Sequence, residues 1–299
     1  MATNYPDLLP VAVAREVIQS VTQRESALMR LARVIRMPTG VQKVPVITGM
    51  PAAGFVNPTY GGLKPEGAVD WAPETLTAAE IGTVVPVPNA YIDDSSFDVE
   101  GSVREEIARS FAGVFERAAL YGTSAPPDWP AGGLTAAASA DAVTGADALK
   151  ALDGALSNLE AKGITPDGIL GGAALRAALR AQMVDVMQPF SEAPAQVYGV
   201  PVVFDSYWND ATGLALVGGF GSVLVGVRED LTYARSEEGV ITDGTGTVVY
   251  NALQQDGVIL RCYWRIALAE ATPLGAAGTA VKPLALAKVG AAARSRSSS

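Results

Sequence analysis

Three adjacent acidic pairs are the first candidates for chemistry in this chain: Asp93-Asp94, Glu105-Glu106 and Glu237-Glu238. Two carboxylates can divide acid and base work or hold a hard cation. Neighbours along a helix or strand point in different directions, so one pair alone does not converge on a substrate. Solvated faces, helix caps and salt bridges between subunits are the expected roles. The chain has no histidine, which removes Ser-His-Asp and Cys-His nucleophile systems and imidazole metal sites. Its one cysteine, Cys262, lies in the apolar run from Val258 to Trp264 and suits a small core residue better than an exposed nucleophile.

Three glycine clusters invite a ligand reading. Gly168-Ile-Leu-Gly171-Gly172 has the strand, glycine pair and helix that cradle phosphate. It lacks GxGxxG and the P-loop lysine, so a tight strand-to-helix turn is expected. Gly218-Gly219-Phe220-Gly221 reads as a hairpin turn between two strands, and Asp243-Gly-Thr-Gly246 reads as another turn. Function has to be argued from a convergent site. None is visible, so no catalytic residue, cofactor or metal is assigned.

The elements that would position any site follow from apolar spacing. Residues 11–36 read as a helix, with Val13, Val17, Val21, Leu28, Leu31 and Ile35 at spacings of mostly three and four. Arg15, Arg24 and Arg33 rim its narrow stripe, and Pro38 stops it. Residues 39–75 read as a long hairpin arm. Val41, Val44, Val46 and Ile47 form one strand, prolines and glycines crowd the tip, and Val69 and Trp71 begin the return. The arm is too poor in large apolar groups to hold itself folded and is expected to order on a neighbour.

Strands are expected at 76–92, then a long helix from Asp98 to Tyr121 carrying Val103, Ile107, Phe111, Val114 and Phe115 on one stripe. Ser102 and Glu105 have capping-box spacing, and Gly122 supplies the C-cap. An alternating α/β section follows. One helix carries Leu149, Leu152, Leu156 and Leu159, and a second carries Leu175, Leu179, Met183 and Met187 and is ended by Pro189. Strands are expected at 168–170, 200–204, 214–217 and 223–227. Long strands return at 247–253 and 258–268, with the strands at 81–90 as their expected neighbours. The Ala-rich tail from Pro273 onward is expected to be loosely held.

Composition bounds the function. With 49% hydrophobic and 18% charged residues, the 299-residue chain is not a disordered polymer. It is poor in charge and rich in alanine, which points towards assembly. The net charge of −9 argues against a sequence-independent grip on DNA or anionic lipid. The first residues carry no basic, apolar signal segment, and no uncharged apolar stretch is long enough to span a bilayer. A soluble, cytoplasm-made protein is expected.

This order of elements resembles the major capsid protein of tailed double-stranded DNA bacteriophages, the HK-ninety-seven type of fold. Val84-Val-Pro-Val-Pro-Asn-Ala-Tyr-Ile-Asp-Asp-Ser-Ser-Phe-Asp98 looks like the segment before that family's spine helix. Tyr198-Gly-Val-Pro-Val-Val203 resembles its recurrent strand entry. Val258 to Leu268, followed by Ala271-Thr-Pro273, resembles its closing strand. The resemblance implies an α+β fold with an N-arm (1–38), an extended E-loop hairpin (39–75) and a strand-rich P-domain (76–140 and 236–275) holding the spine helix (98–121). A compact α/β A-domain (141–235) and a C-terminal tail (276–299) complete it.

It further implies a structural role and no enzyme activity. Hexamers and pentamers, made in the bacterial host cytoplasm, would close into the icosahedral shell of a virion around the double-stranded DNA genome. The partners would be further copies of the chain, a portal protein, and separate scaffold and decoration proteins, with no membrane. Inward-facing acids would keep packaged DNA off the wall. Candidate inter-subunit contacts are Lys64 and Trp71 in the arm, Arg15, Arg24 and Arg33 on the first helix, and Arg104 and Glu105 on the spine helix. Some family members weld the shell with a Lys-Asn isopeptide bond helped by a Glu. Lys64 sits where the donor would be, but the acceptor and helper positions fall near Asp256 and Tyr263, so a non-covalent shell is expected, as is the absence of a cleaved N-terminal scaffolding segment. Two alternatives remain: an encapsulin-type compartment, and a cytoplasmic α/β enzyme with a lid at 39–75.

Overall fold

In the computed structural model, which describes residues 26–51, 53–56, 64, 66–93, 99–182 and 195–290, the first described element is a short helix, α1 (Ala27–Leu31). The Ser26 hydroxyl caps it by accepting from Met29 N. The helix expected over 11–36 does not continue: Ala32 turns extended, and Arg33–Arg36 is strand β1, paired parallel with Leu224–Val227. The reason is tertiary. β-branched Val34 and Ile35 meet an open sheet edge, where the ladder supplies the hydrogen bonds a helix would have given. Residues 11–25 lie outside the described residues.

β2 (Val41–Gly49) and β3 (Asp70–Thr77) pair antiparallel from Val41↔Thr77 to Gly49↔Asp70, forming the expected hairpin. β4 (Ala79–Pro88) and a short helix α2 (Asn89–Asp93) lead to α3 (Val99–Tyr121). At 1.5 Å per residue α3 is about 34 Å long. Because it begins at Val99, Ser102 lies inside its first turns, and the capping box expected there does not form. Its end follows the sequence: Gly122 takes φ 68 and donates its N–H to Ala118 O at 2.9 Å, a left-handed stop suited to glycine.

Helices and strands then alternate: α4 (Gly133–Ala138), β5 (Val143–Gly145), α5 (Ala148–Ala161), β6 (Gly168–Gly171), α6 (Ala173–Gln182), β7 (Ala195–Val197), β8 (Val200–Phe204) and β9 (Ala215–Gly218). Met183, Met187 and Pro189, expected to extend and end the second helix, lie outside the described residues. β10 (Val223–Ser236), the hairpin β11 (Val240–Thr242) and β12 (Val248–Asn251), β13 (Gly257–Glu270) and β14 (Leu284–Val289) complete the chain. One sheet has the order β1-β10-β13-β4 and a second the order β5-β14-β9-β6-β8-β7. β13 pairs antiparallel with β4, with Trp264 opposite Ile81, as the spacing of the apolar runs suggested.

Two further expectations are corrected. Val223–Val227 is not a strand of the alternating unit. It opens the 14-residue β10, which pairs with β13 in the four-stranded sheet. Gly218–Gly221 is therefore a crossing between two sheets and not a hairpin turn. Asp167 holds that crossing, its carboxylate accepting from Phe220 N at 2.6 Å and Gly221 N at 2.9 Å.

The tail is also not loose throughout, because β14 lies between β5 and β9 with Leu284–Ala287 fully buried. Its Leu/Ala alternation, which resembles low complexity, is a two-sided strand. Leu284 and Leu286 join the core around α3, and Ala285 and Ala287 join the core under α5 and α6.

The first core is organised by Phe115, whose ring meets Trp129 and Trp264 edge-on at 5.9 and 5.7 Å. The glycine pair before α6 is the tight turn expected: a Cβ on Gly172 would come within 2.7 Å of the Trp208 ring. Leu286→Ala is expected to destabilise the protein by about 2–5 kcal/mol in denaturant unfolding, whereas a change in a loosely held tail would leave the midpoint in place.

Candidate assembly surface

The arm begins where it is anchored. Leu76 is fully buried, and Val44 and Val46 pack beside it against Met37, Leu224 and Ala267. Farther out the apolar side chains lose their cover. Trp71 is 60% exposed opposite Ile47, and Met50 and Phe55 are exposed on the tip side. Each large apolar side chain of this kind would gain about 1.5–3 kcal/mol on full burial. A groove of about 500 Å³ runs between the arm and the body, lined among others by Arg33, Val46, Met50, Val69 and Leu224.

The residues singled out in sequence fall into distinct places. Lys64 is exposed in the arm, and Arg33 is exposed at the groove. Arg15 and Arg24 lie outside the described residues. Glu105 is exposed on α3. Arg104 faces inwards: its guanidinium lies 5.5 Å from the centre of the Tyr233 ring, and its backbone carbonyl accepts from Tyr233 Oη at 2.9 Å. The structure thus brings Arg33 to the arm and holds Arg104 on its own sheet.

Sequence reasoning missed a second apolar projection, the β11–β12 hairpin. Val240, Val248, Val249 and Leu253 are all exposed on or beside it. The signal was present in the Thr247-to-Leu253 run, but that run was read as a long strand of the main sheet. Its turn is held by Asp243, whose carboxylate accepts from Thr245 N, Thr245 Oγ1 and Thr247 N at 2.7–2.9 Å. Those bonds, the Thr245 hydroxyl first, hold Asp243 below the usual carboxylate range.

The one cysteine and the two buried carboxyls are not presented to solvent. Burial pushes the Cys262 thiol up to about 12, which keeps it an inert core group. Glu116 and Asp205 are buried carboxyls without access to a substrate. Among the described residues no group of three or more His, Cys, Asp or Glu could hold a metal ion, and no helix is long and apolar enough to cross a membrane. At the positions where the resemblance would put an isopeptide acceptor and helper, the Asp256 carboxylate accepts from Asn89 Nδ2 at 2.8 Å and Tyr263 lies under Arg261.

The family model described as "Phage capsid family" matches residues 7–273. Among solved structures, a chain from Mycobacterium phage Cain superposes with a TM-score of 0.75 at 24% identity, covering 89% of this chain and 91% of that one. A chain from Microbacterium phage Oxtober96 gives 0.73 at 26% identity, covering 97% and 96%. The structure titled "Capsid of native GTA particle computed with C5 symmetry" gives 0.55 at 18% identity, covering 97% and 94%. No curated protein matches the sequence.

Since Arg104 is spent on Tyr233, Arg104→Ala is expected to lower the stability of the isolated subunit by about 1–2 kcal/mol. Glu105→Ala, at an exposed position, is expected to stay within about 0.5 kcal/mol of wild type. Urea unfolding of the two variants checks both.

Proposed function

The chain belongs to the phage capsid family and is a capsid shell protein, structural and not enzymatic; from that premise we propose that it assembles as hexamers and pentamers into an icosahedral shell enclosing a double-stranded DNA genome. The observation that carries this reading is the arm. Its base is anchored in the subunit's own core, while Trp71, Met50 and Phe55 project without cover. Three large apolar groups on one slender hairpin favour an arrangement in which a neighbouring copy covers them.

The division into domains follows the two sheets. The four-stranded sheet with α3 corresponds to the P-domain and takes in β10 from Val223, so the A-domain is the six-stranded sheet with α5 and α6, including β14. The hairpin β2–β3 corresponds to the E-loop, and the segment ahead of it to the N-arm. Lys64 then meets an acid of a neighbour without a covalent bond, since the acceptor and helper positions hold Asp256 and Tyr263. Arg33, Trp71 and the exposed Glu105 are retained as inter-subunit contacts, together with Arg15 and Arg24. The excess of acids over bases suits a wall that lets DNA slide past. A portal protein, scaffold and decoration proteins are the expected partners, and assembly takes place in the host cytoplasm.

The double variant Trp71→Ser with Phe55→Ser is expected to leave the unfolding midpoint of the subunit unchanged while shifting the protein from shells to free subunits or capsomers. Light scattering and negative-stain microscopy read the shift. Wild-type protein that stays a monomer or dimer with and without a scaffold protein would overturn the assembly reading. Purified native shells holding an enzyme instead of DNA would make it an encapsulin-type compartment.

A further inference from the structure

Under the entry helix lies a polar cluster that a shell wall does not require. Glu116, on α3, is fully buried, and its Oε1 accepts from Ser26 Oγ at 2.7 Å and Leu28 N at 2.9 Å. Asp205, just past β8, is 5% exposed, and its Oδ1 accepts from Tyr207 N at 2.8 Å. The other oxygen of each carboxyl, Glu116 Oε2 and Asp205 Oδ2, is buried with no hydrogen-bond partner among the described residues. Two ionised carboxylates cannot share a dry interior this way, because each unpaired oxygen carries the full cost of desolvation and each charge repels the other.

Among the described residues the surrounding groups do not cancel those charges. On α1, Ser26, Ala27 and Leu28 supply hydrogen bonds to Glu116. On α3, Tyr121 Oη accepts from Asn209 N at 2.6 Å, and Arg117 lies over the Tyr207 ring. The carbonyl of Arg109 accepts from Tyr207 Oη. From the loop after β8 come Asp205 and Asp210, which both act on Tyr121. Burial first, and then the charge of Asp205, raise Glu116 to about 8 against the hydrogen bonds that favour its anion, and among the described residues no compensating cation acts on it. Burial likewise raises Asp205.

We propose that Glu116 and Asp205 hold a single proton between them in the interior, and that losing this proton undocks the Ser26–Leu31 segment from α3. The chain's entry segment is then held by a proton-dependent latch. The sign follows from linkage. With the segment released, Glu116 meets water and returns towards its ordinary 4.5, so the docked state binds a proton that the released state gives up. Docking is strongest at acid pH. It weakens by up to about tenfold per pH unit as pH rises from the ordinary carboxyl range towards 8, and it levels off above that.

Hydrogen exchange at the amides of residues 28–31 in the full-length, unassembled protein tests this between pH 5 and 9, after correction for intrinsic exchange. The wild-type opening constant is expected to rise with that slope. Glu116→Gln, whose amide oxygen still accepts from Ser26 and Leu28, is expected to give a flat profile. A flat wild-type profile, or a rise kept in Glu116→Gln, would overturn the proposal. Should the glutamine variant not fold, Asp205→Asn serves instead: with the neighbouring charge gone, the rise should level off at a lower pH, and an unchanged profile would overturn the latch. Neither result depends on whether the protein forms shells.

Discussion

Phe115 fixes how α3 lies across the four-stranded sheet, through its edge-on contacts with Trp129 and Trp264. The rest of the architecture takes its register from that contact. Aromatics are sparse in this chain, so three large rings at one crossing make up an unusual share of its bulky side chains. Around them the same helix buries Ile107, Phe111 and Leu120 together with the small groups Ala108, Ala112, Ala118 and Ala119. Small side chains let helix and sheet approach closely but leave few large knobs to define a unique fit. The sheet below depends on that helix in turn, since β13 carries Trp264 and pairs on both sides, with β10 and with β4.

Much of this was legible in the sequence because its signals were local. The stripe through Ile107, Phe111 and Phe115, the left-handed stop at Gly122, the leucines of α5 and the glycine-tipped arm are patterns a short window can read. Three of the misreadings share one cause. Val34 and Ile35 fit a helical stripe until the open edge of β10 offers them a ladder. Val223–Val227 looks like the next short strand of an alternating unit until its partner, β13, comes from some forty residues downstream. Leu284–Val289 looks like a low-complexity tail until it is placed between β5 and β9. In each case the deciding partner lies far along the chain, outside any periodicity.

The candidate surface was less legible than the fold. Exposure cannot be read from residue type, and Trp71 and Trp264 are alike in sequence. One stands 60% exposed on the arm, and the other is buried at 3%. Arg104 shows the same limit from the polar side. Its type and place on a long helix suggest an outward charge, yet the Tyr233 ring draws it inwards. The buried pair of Glu116 and Asp205 had no sequence signal, because 89 positions separate them and neither belongs to a motif. Only the docking of α1 and the β8 loop onto one face of α3 brings them together.

The position of β14 has a consequence for the time course of biosynthesis. In the six-stranded sheet β14 lies next to the edge strand β5, hydrogen-bonded to β9 on one side and β5 on the other. Those partners are translated 66 to 144 residues earlier, from Leu284↔Gly218 to Ala287↔Val143. β9 can already pair with β6, but β5 must wait, unjoined, until Leu284–Val289 has cleared the ribosome. A nascent chain can pair β7, β8, β6 and β9 first, but the non-local pairing of β14 with β5 makes closure a slow step. The subunit therefore acquires its finished shape only after Leu284–Val289 has been synthesised. A protein whose surface is suited to meeting copies of itself is thus kept from presenting that surface, correctly formed, while still tethered among the crowded nascent chains of a polysome.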